Sequence, residues 1–288
     1  MQLILIGSGY IGSVFESEAA SRGWRVMKIS HELSQTSLFR HTLSQYADDD
    51  GYTVVVNCAA YIKDGRADSC EDNKADTVLG NLVLPARLAD ACYDSNIPLL
   101  HASTACMYNG TKDGHGWTEE DTPQLSWRAR SDCGTYVASK QLAEEVLMEQ
   151  GKSWICRVRL PFDNIDNPRN FLSKIRNYEK VYDNTNSLAH RGEFVNACLD
   201  MIDKRVPYGI YNVLNQGAIW THDIIDMMNR REHLKREFVY WNEEEFMSSV
   251  ARTPKSNCLI SVKKLLATGI KMRHVGEAVE DSLDNWYV

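Results

Sequence analysis

The chain opens with an apolar run that leads directly into a glycine-rich turn, Gln2-Leu-Ile-Leu-Ile-Gly7-Ser-Gly9-Tyr-Ile-Gly12. The apolar half is typical of a parallel strand that is covered on both faces. A helical pattern follows and ends near Gly23. In this order, strand, turn and helix, the spacing Gly-x-Gly-x-x-Gly indicates a dinucleotide site: Gly7 permits the tight turn, Gly9 admits a pyrophosphate, and Gly12 lets helix and strand pack closely. We therefore predict an α/β fold with a Rossmann-type, doubly wound parallel sheet.

The composition excludes several classes of protein. The chain has 288 residues and a net charge of −7, and no basic cluster offsets this charge, so we expect no nucleic-acid partner and no membrane-surface role. Its eight cysteines show no zinc-like spacing, which predicts no metal site and suits a reducing compartment. The N-terminus reads as a strand rather than a signal peptide, and no apolar run approaches the ~20 residues of a membrane helix. We expect a cytoplasmic protein.

The second strand, Trp24–Ser30, lacks the acid that usually binds the cofactor ribose in an NAD site. The first acid after it is Glu32. This leaves both NADPH and NADH open as the cofactor. Lys28, His31 or Arg40 could meet a 2′-phosphate, although each of them is also typical of an ordinary surface position.

Two further strands end in small or hydroxyl-bearing residues. The strand over 52–60 opens into Asn57-Cys-Ala-Ala60, and the strand over 97–102 leads to Ser103-Thr104. The carboxyl ends of parallel strands form the ligand crevice of a doubly wound sheet. The residues that we expect at this crevice are Asn57, Ala59, Ala60, Ser103 and Thr104.

The alternation of strand and helix predicts two domains. It holds to about residue 160 and includes a helix over about 74–95 with Asn81 in its middle. After that it breaks down, although 209–215 reads as a strand that returns to the sheet. We predict a nucleotide-binding Rossmann domain over 1–160. We predict a smaller lobe over 161–288, mainly substrate-binding, with segments that return to the first domain.

A helix further along the chain carries Tyr136 and Lys140, four residues apart, with Glu144 and Glu145 on the side away from its apolar residues. Four residues make about one turn, so the tyrosine and the lysine share a face. A phenol with an ordinary pKa near ~10 is a poor acid at neutral pH, and a neighbouring ammonium lowers that pKa. Such a pair can pass a proton to or from a carbonyl oxygen. Alone the pattern is weak, but here a nucleotide site and a hydroxyl donor precede it.

Taken together, these motifs resemble the extended short-chain dehydrogenase/reductase family. The resemblance rests on the glycine turn, Asn57–Ala60, Ser103-Thr104 with Tyr108, the loop Glu120–Pro123, and Tyr136-x-x-x-Lys140. It implies a catalytic triad of Thr104, Tyr136 and Lys140, with Ser103 as the second choice for the hydroxyl. It also implies that Tyr10 and Ile11 join the glycines, Tyr136 and Lys140 in binding the cofactor.

A narrower resemblance is to the plant and giant-virus nucleotide-rhamnose synthases of the 3,5-epimerase/4-reductase type, which are related to bacterial dTDP-4-dehydrorhamnose reductase. The stretches that carry it are Arg66–Lys74, Thr104–Tyr108, Arg157–Pro161 and Asn167–Ile175. It implies conversion of UDP- or dTDP-4-keto-6-deoxyglucose to the L-rhamnose nucleotide with NAD(P)H. Cys106 and Lys174 would act in epimerisation, and Arg169 and Asn170 would bind substrate beside Ser103 and Thr104. A homodimer is implied as well.

Alternatives remain at several positions. Cys106 could simply pack, Lys174 could be a surface or phosphate-binding residue, and Arg169 could brace a loop instead of binding a diphosphate. The protein could then be a 4-reductase that receives an already epimerised sugar. A third reading is a non-catalytic nucleotide-binding regulatory subunit, against which the intact triad argues. In the first reading a separate 4,6-dehydratase must supply the keto sugar.

Overall fold

The computed structural model describes residues 1–30, 37–47, 52–62, 65–231 and 237–287. The strands are β1 Gln2–Ile6, β2 Arg25–Ile29, β3 Thr53–Asn57, β4 Leu99–Thr104, β5 Ser153–Val158, β6 Pro161–Phe162, β7 Lys180–Val181, β8 Thr185–Asn186, β9 Ala189–His190, β10 Gly209–Asn212, β11 Ile219–Trp220 and β12 Val239–Tyr240. The helices are α1 Gly12–Ser21, α2 Ser37–Ala47, α3 Lys74–Val78, α4 Leu84–Asp94, α5 Thr135–Gln150, α6 Phe171–Asn177, α7 Arg191–Asp203, α8 Thr221–Asn229, α9 Glu243–Ser249, α10 Lys263–Ala267 and α11 Val275–Asp284.

A six-stranded sheet has the strand order β10-β5-β4-β3-β1-β2. β1 pairs in parallel with both β2 and β3, and β3 pairs in parallel with β4. Every residue of β1 and β3 is buried, as expected for central strands of a parallel sheet. The chain leaves β1 toward β2 on one side and β3 on the other, so the direction of winding reverses at β1. The predicted Rossmann-type sheet is confirmed, and so is the return of the segment near 209 as β10.

The chain divides into two compact units. The first unit consists of residues 1–104, 134–157 and 195–211. Its core lies between the sheet and helices α2, α4 and α5. Members of this core are Ile4, Ile6, Phe39, Leu43, Val55, Leu84, Leu88, Leu99, Leu147 and Ile155.

The helix that the sequence predicts over about 74–95 is interrupted by one π-helical turn, Leu79–Val83. Asn81 lies in this turn and is fully buried. Its Oδ1 accepts from Tyr61 N at 2.8 Å, and its Nδ2 donates to Tyr61 O at 2.9 Å. A Cβ on Gly80 would lie 2.8 Å from Tyr61 Cβ, so the close approach needs a glycine. Asn81 is therefore a hydrogen-bonded core residue.

The second unit consists of residues 105–133, 158–194 and 212–288. Its described residues form three two-stranded sheets, in which β6 pairs with β9, β8 with β11, and β7 with β12. A second core includes Phe162, Leu172, Leu188, Ile224 and Val279. Both units draw on three separate segments, and the predicted single boundary near residue 160 stays a prediction. Among the described residues, no helix has the length and apolar character needed to cross a membrane.

Candidate active site

The glycine turn lies at the point where the winding of the sheet reverses. Gly7 follows β1 with φ +87°, and a Cβ there would lie 2.4 Å from the backbone nitrogen of Ala59, just beyond β3. A Cβ on Gly12 would lie 1.8 Å from the carbonyl oxygen of Gly7. Both positions therefore need glycine for chain packing. Strand ends at such a reversal form the usual ligand crevice of this architecture.

Gly9 differs from these two glycines, because a Cβ there would meet no described atom within 4 Å. The space in front of Gly9 is open, and α1 begins three residues later with Ile11 as its N-cap residue. Tyr10 and Ile11 are half-buried. Helix N-termini with an open glycine approach suit phosphate groups, so these residues fit the pyrophosphate of a dinucleotide. The cofactor contacts of Tyr10 and Ile11 stay predictions.

Asn57 ends β3 and is fully buried. Its Oδ1 accepts from Ala59 N at 3.0 Å, and its Nδ2 donates to His101 Nδ1 at 3.0 Å. Burial holds the pKa of His101 well below its usual value, so this imidazole is neutral and can accept. Asn57 thus shapes the turn that presents Ala59 and the exposed Ala60. Contact of these residues with a cofactor stays a prediction.

The basic residues named for a 2′-phosphate are engaged elsewhere or lie outside the described part of the chain. Lys28 Nζ lies 2.8 Å from Glu16 Oε1, and Arg40 pairs with Asp94. His31 and Glu32 lie outside the described residues. The choice between NADPH and NADH therefore stays open.

Helix α5 carries Tyr136 in its first turn and Lys140 in its second. Glu71 anchors its start: Oε1 accepts from Thr135 N at 2.5 Å, and Oε2 accepts from Thr135 Oγ1 at 3.1 Å. A carboxylate at a helix N-terminus satisfies an unpaired N–H and complements the helix dipole. Glu71 lies in the stretch 66–74 that carried the resemblance, but its sequence context does not predict this contact. Tyr136 is half-buried.

Lys140 is 2 % exposed, and its Nζ donates to the carbonyl oxygen of Ala102 in β4 at 2.9 Å. Burial lowers the pKa of Lys140 to about 8, and the nearby Glu144 carboxylate opposes this shift. At neutral pH the ammonium therefore keeps most of its charge while it is held at the carboxyl end of β4. Thr104, the last residue of that strand, is 2 % exposed.

The prediction that Glu144 lies on the outer side of α5 is wrong. Glu144 is 2 % exposed, and Arg157 Nη2 donates to its Oε2 at 2.6 Å. Ser103 Oγ donates to Oε1 of the same carboxylate at 2.5 Å. A buried carboxylate needs such partners, and the residue types alone did not reveal the pairing. The Ser103 hydroxyl is thus engaged within the core, and the assignment of Thr104 to the triad stays a prediction.

In the second unit, Cys106 is half-buried and takes part in no disulfide. Arg159 Nη1 donates to its sulfur at 3.3 Å. Tyr108 is buried, and its hydroxyl donates to the carbonyl oxygens of Thr118 at 3.2 Å and Asp121 at 3.0 Å. Tyr108 thus holds the polar loop that precedes α5.

The block 167–175 forms the start of α6. Asn170 is its N-cap: Oδ1 accepts from Leu172 N at 2.9 Å, and Nδ2 donates to Asp163 O at 2.9 Å. Asn170 is fully buried, so its observed contacts are those of a helix cap, and its contact with substrate stays a prediction. Arg169 is exposed, and Lys174 is half-buried in the last turn of α6. Their roles stay predictions.

The parallel sheet, the glycine turn at its reversal point and the Tyr136–Lys140 helix define an enzyme of the extended short-chain dehydrogenase/reductase class. The chain belongs to the RmlD substrate binding domain family, whose model matches residues 1–288. The predicted family and the prediction of an enzyme are confirmed.

Similar proteins cover most of this chain or nearly all of it. A bifunctional dTDP-4-dehydrorhamnose 3,5-epimerase/dTDP-4-dehydrorhamnose reductase of Arabidopsis thaliana is 31 % identical over 218 residues, which cover 73 % of this chain and 69 % of the relative. The chain spans 38 % of a longer, trifunctional relative from the same plant. The structure of the L780 UDP-rhamnose synthase from Acanthamoeba polyphaga mimivirus matches with a TM-score of 0.87 at 21 % identity, over 99 % of both chains. A Bacillus anthracis dTDP-4-dehydrorhamnose reductase in complex with NADP matches with a TM-score of 0.78 at 18 % identity, over 99 % of this chain and 98 % of that one.

Proposed function

We propose that this protein reduces the C4 ketone of a nucleotide-linked 4-keto-6-deoxy sugar with NADPH or NADH, after inverting C3 and C5 of the same sugar. The observation that carries the proposal is the buried Lys140, one helical turn from Tyr136 and hydrogen-bonded to the strand that ends in Thr104. A regulatory nucleotide-binding protein has no need to bury an ammonium beside a phenol.

The glycine turn supports the binding of the cofactor. Gly9 leaves room for a pyrophosphate at the start of α1, and Tyr10 and Ile11 are the residues proposed to bind it there. When bound, the reduced nicotinamide supplies a hydride to C4. The Bacillus anthracis reductase of the same fold holds NADP, which agrees with NADPH, while the sequence at the end of β2 keeps NADH open.

For the reduction, Tyr136 gives its phenolic proton to the C4 oxygen. The Lys140 ammonium stabilises the phenolate that remains, because the two groups lie on one face of α5. Thr104 donates a hydrogen bond to the same oxygen. Donors aimed at an oxygen where negative charge builds up are worth about 10²–10³ in rate.

For the epimerisation, the C4 ketone makes the protons on C3 and C5 acidic, because each carbanion is an enolate. Cys106 is the proposed base, and Lys174 of α6 is the proposed acid that returns a proton on the opposite face. In the chain, Ala105 alone separates Thr104 from Cys106. The proposed hydrogen-bond donor to the ketone oxygen and the proposed base are therefore only two residues apart. The same hydrogen-bond donors to the C4 oxygen would serve both reactions.

The relatives indicate the substrate class. They act on dTDP- or UDP-linked sugars according to their names, so we propose UDP- or dTDP-4-keto-6-deoxyglucose as substrate and the L-rhamnose nucleotide as product. Ser103, Arg169 and Asn170 are the further residues proposed for its binding. We also propose that the protein is a homodimer and acts in the cytoplasm. A separate 4,6-dehydratase would supply its keto sugar.

The test is NMR of UDP-4-keto-6-deoxyglucose, and in parallel its dTDP analogue, incubated with the protein and NADPH in D₂O. Deuterium at both C3 and C5 of a rhamnose product supports the bifunctional reading. Cys106→Ala should then lose the exchange, while Cys133→Ala, which alters a half-buried cysteine outside the proposed site, should keep it.

Other outcomes would overturn parts of the proposal. Reduction at C4 without deuterium leaves a 4-reductase and removes Cys106 and Lys174 from the chemistry. No turnover of either sugar, with NADPH still bound, would favour a regulatory protein.

A further inference from the structure

The guanidinium of Arg159 is buried against the sulfur of Cys106. Arg159 follows β5 and is 2 % exposed. Its Nη1 donates to Cys106 Sγ at 3.3 Å and to Ser256 Oγ at 2.7 Å. Its Nη2 donates to Asn186 Oδ1 and to the carbonyl oxygen of Ser256. Four hydrogen bonds therefore fix the orientation of the side chain.

No carboxylate balances this charge among the described residues. The buried Arg157 pairs with Glu144, and Arg191 pairs with Asp163, but no ion pair of Arg159 is formed within the described part of the chain. Its Nε is also buried without a hydrogen-bond partner among those residues. A buried charge without a counter-ion is strongly destabilising, and a guanidinium does not shed its proton. The surroundings of Arg159 therefore favour a negatively charged hydrogen-bond partner for its Nη1.

Cys106 is the group best able to supply that anion. The other partners of Arg159 are a hydroxyl, an amide and a backbone carbonyl, none of which ionises near neutral pH. The second titratable group beside Arg159 is Cys258. It is fully buried, and burial raises the pKa of its thiol despite the opposing effect of Arg159. Cys106 is only half-buried, so a ligand can reach it.

The backbone next to Arg159 is strained. Leu160 has φ +41°, in the left-handed region, and it precedes Pro161. A branched side chain in this region is strained, and a following proline disfavours helical backbone further. Ala189 N donates to the carbonyl oxygen of Arg159 at 3.0 Å, which fixes the backbone on the N-terminal side of Leu160. Strain of this kind persists where the surrounding fold imposes it.

We propose that Arg159 is the positioning residue that holds Cys106 as a thiolate aimed for proton abstraction. This inference deepens the proposed function and rests on it for the role of the thiolate, but the thiolate can be measured without any turnover. In the step itself, the C–H bond of C3 or C5 breaks and an S–H bond forms on Cys106. The electron pair passes to the C4 oxygen as the enolate, and reprotonation at carbon restores the ketone. The guanidinium keeps its protons throughout.

The test is the rate of alkylation of Cys106 by iodoacetamide between pH 5.5 and 10, read by peptide mass spectrometry on the full chain. In the wild type, we expect the half-maximal rate well below pH ~8.5, the ordinary thiol value. In Arg159→Gln the midpoint should rise by about one pH unit or more, which makes alkylation several-fold slower at pH 7. At the highest pH, where both thiols are ionised, the variant should react at least as fast as the wild type, because a thiolate of higher pKa is the stronger nucleophile. A structural disturbance alone would change this plateau and leave the midpoint in place. Arg159→Lys should restore part of the shift, and Arg176→Gln, from an exposed ion pair on α6, should leave the midpoint in place.

Two results would overturn the inference. One is a wild-type midpoint at or above ~8.5, which needs no variant and so holds even if Arg159→Gln does not fold. The other is an unchanged midpoint in a folded Arg159→Gln. If the thiolate is present but C3 and C5 take up no deuterium, the proposed epimerisation fails while the Arg159–Cys106 relationship stands.

Discussion

The Nζ atom of Lys140 donates a 2.9 Å hydrogen bond to the carbonyl oxygen of Ala102, two residues before the end of β4. This bond ties the second turn of α5 to the strand that presents Thr104. Because the ammonium is buried, its charge acts at short range and through little water. In the proposed reduction, the transfer of the proton therefore depends on this buried ammonium.

The first prediction concerns the pH profile of ketone reduction. Burial lowers the pKa of Lys140 to about 8, so kcat should fall as the pH rises through that value and the phenolate loses its counter-charge. The Glu144 carboxylate raises the pKa of Lys140, so Glu144→Gln should move this alkaline limb to lower pH, by roughly one unit. Steady-state measurements of kcat between pH 6 and 10 give the pH at which this alkaline limb falls. Glu149→Gln, on the exposed side of the same helix, is the control, and a limb that moves upward in Glu144→Gln would contradict the assignment.

The second prediction concerns stability. The unfolded chain binds a proton on Lys140 up to about pH 10.5, and the folded chain only up to about 8, so this residue's contribution to the free energy of unfolding rises with pH between the two values. Lys140→Met removes that dependence. Its stability relative to the wild type should therefore be highest near pH 7 and should decline by about 3 kcal/mol toward pH 11. Urea unfolding of both proteins at pH 7, 9 and 10.5 tests this, and a constant difference across the range would show that Lys140 is not desolvated.

The third prediction separates two adjacent hydroxyls. Thr104→Val keeps the shape of the side chain and removes the proposed donor to the ketone oxygen, so kcat should fall about 10²-fold. Ser103→Ala removes a hydrogen bond from the buried Glu144 carboxylate and should lower the free energy of unfolding by about 1–3 kcal/mol. Kinetics and urea unfolding of each variant give both quantities. If Ser103→Ala shows the larger loss of kcat, the hydroxyl of the triad has been assigned to the wrong residue.

The fourth prediction concerns the glycine turn. A Cβ on Gly9 meets no described atom within 4 Å, whereas a Cβ on Gly12 would lie 1.8 Å from the Gly7 carbonyl oxygen. Gly9→Ala should therefore fold with near-normal stability and bind NADPH about tenfold more weakly, because the methyl group takes space proposed for the pyrophosphate. Gly12→Ala should cost about 3 kcal/mol of folding free energy. Thermal unfolding and fluorescence titration with NADPH distinguish the two, and tight NADPH binding by Gly9→Ala would place the phosphates elsewhere.

The parts of the structure that local patterns encode were predicted well. The Rossmann-type sheet follows from an apolar strand, a glycine turn and a helix within about twenty residues, and Tyr136 and Lys140 share a face because of helical spacing alone. The π-helical turn at Asn81 was not predicted, since a single widened turn leaves the apolar spacing of the flanking helix nearly unchanged.

The contacts that surround the site residues were harder to predict, because they join segments that are distant in the sequence. The predicted position of Glu144 on α5 is wrong, because no neighbouring residue in the sequence indicates that Arg157 is its partner. The sequence does not indicate the contacts of Arg159, because its partner Ser256 lies 97 residues away. Which distant polar groups meet depends on strand order and register, and a single sequence does not specify these.

Glu71 gives the short 3-10 helix Ala67–Asp72 a part in supporting the Tyr136 helix, although the two are far apart in the chain. The segment between β3 and α3 would otherwise be a natural place for a protein engineer to insert residues or exchange a loop. Any such change that displaces the Glu71 carboxylate would remove its hydrogen bonds to the first turn of α5, which carries the phenol of Tyr136. The damage would then appear as a slower reaction rather than as a misfolded protein, and a screen for solubility alone would not detect it.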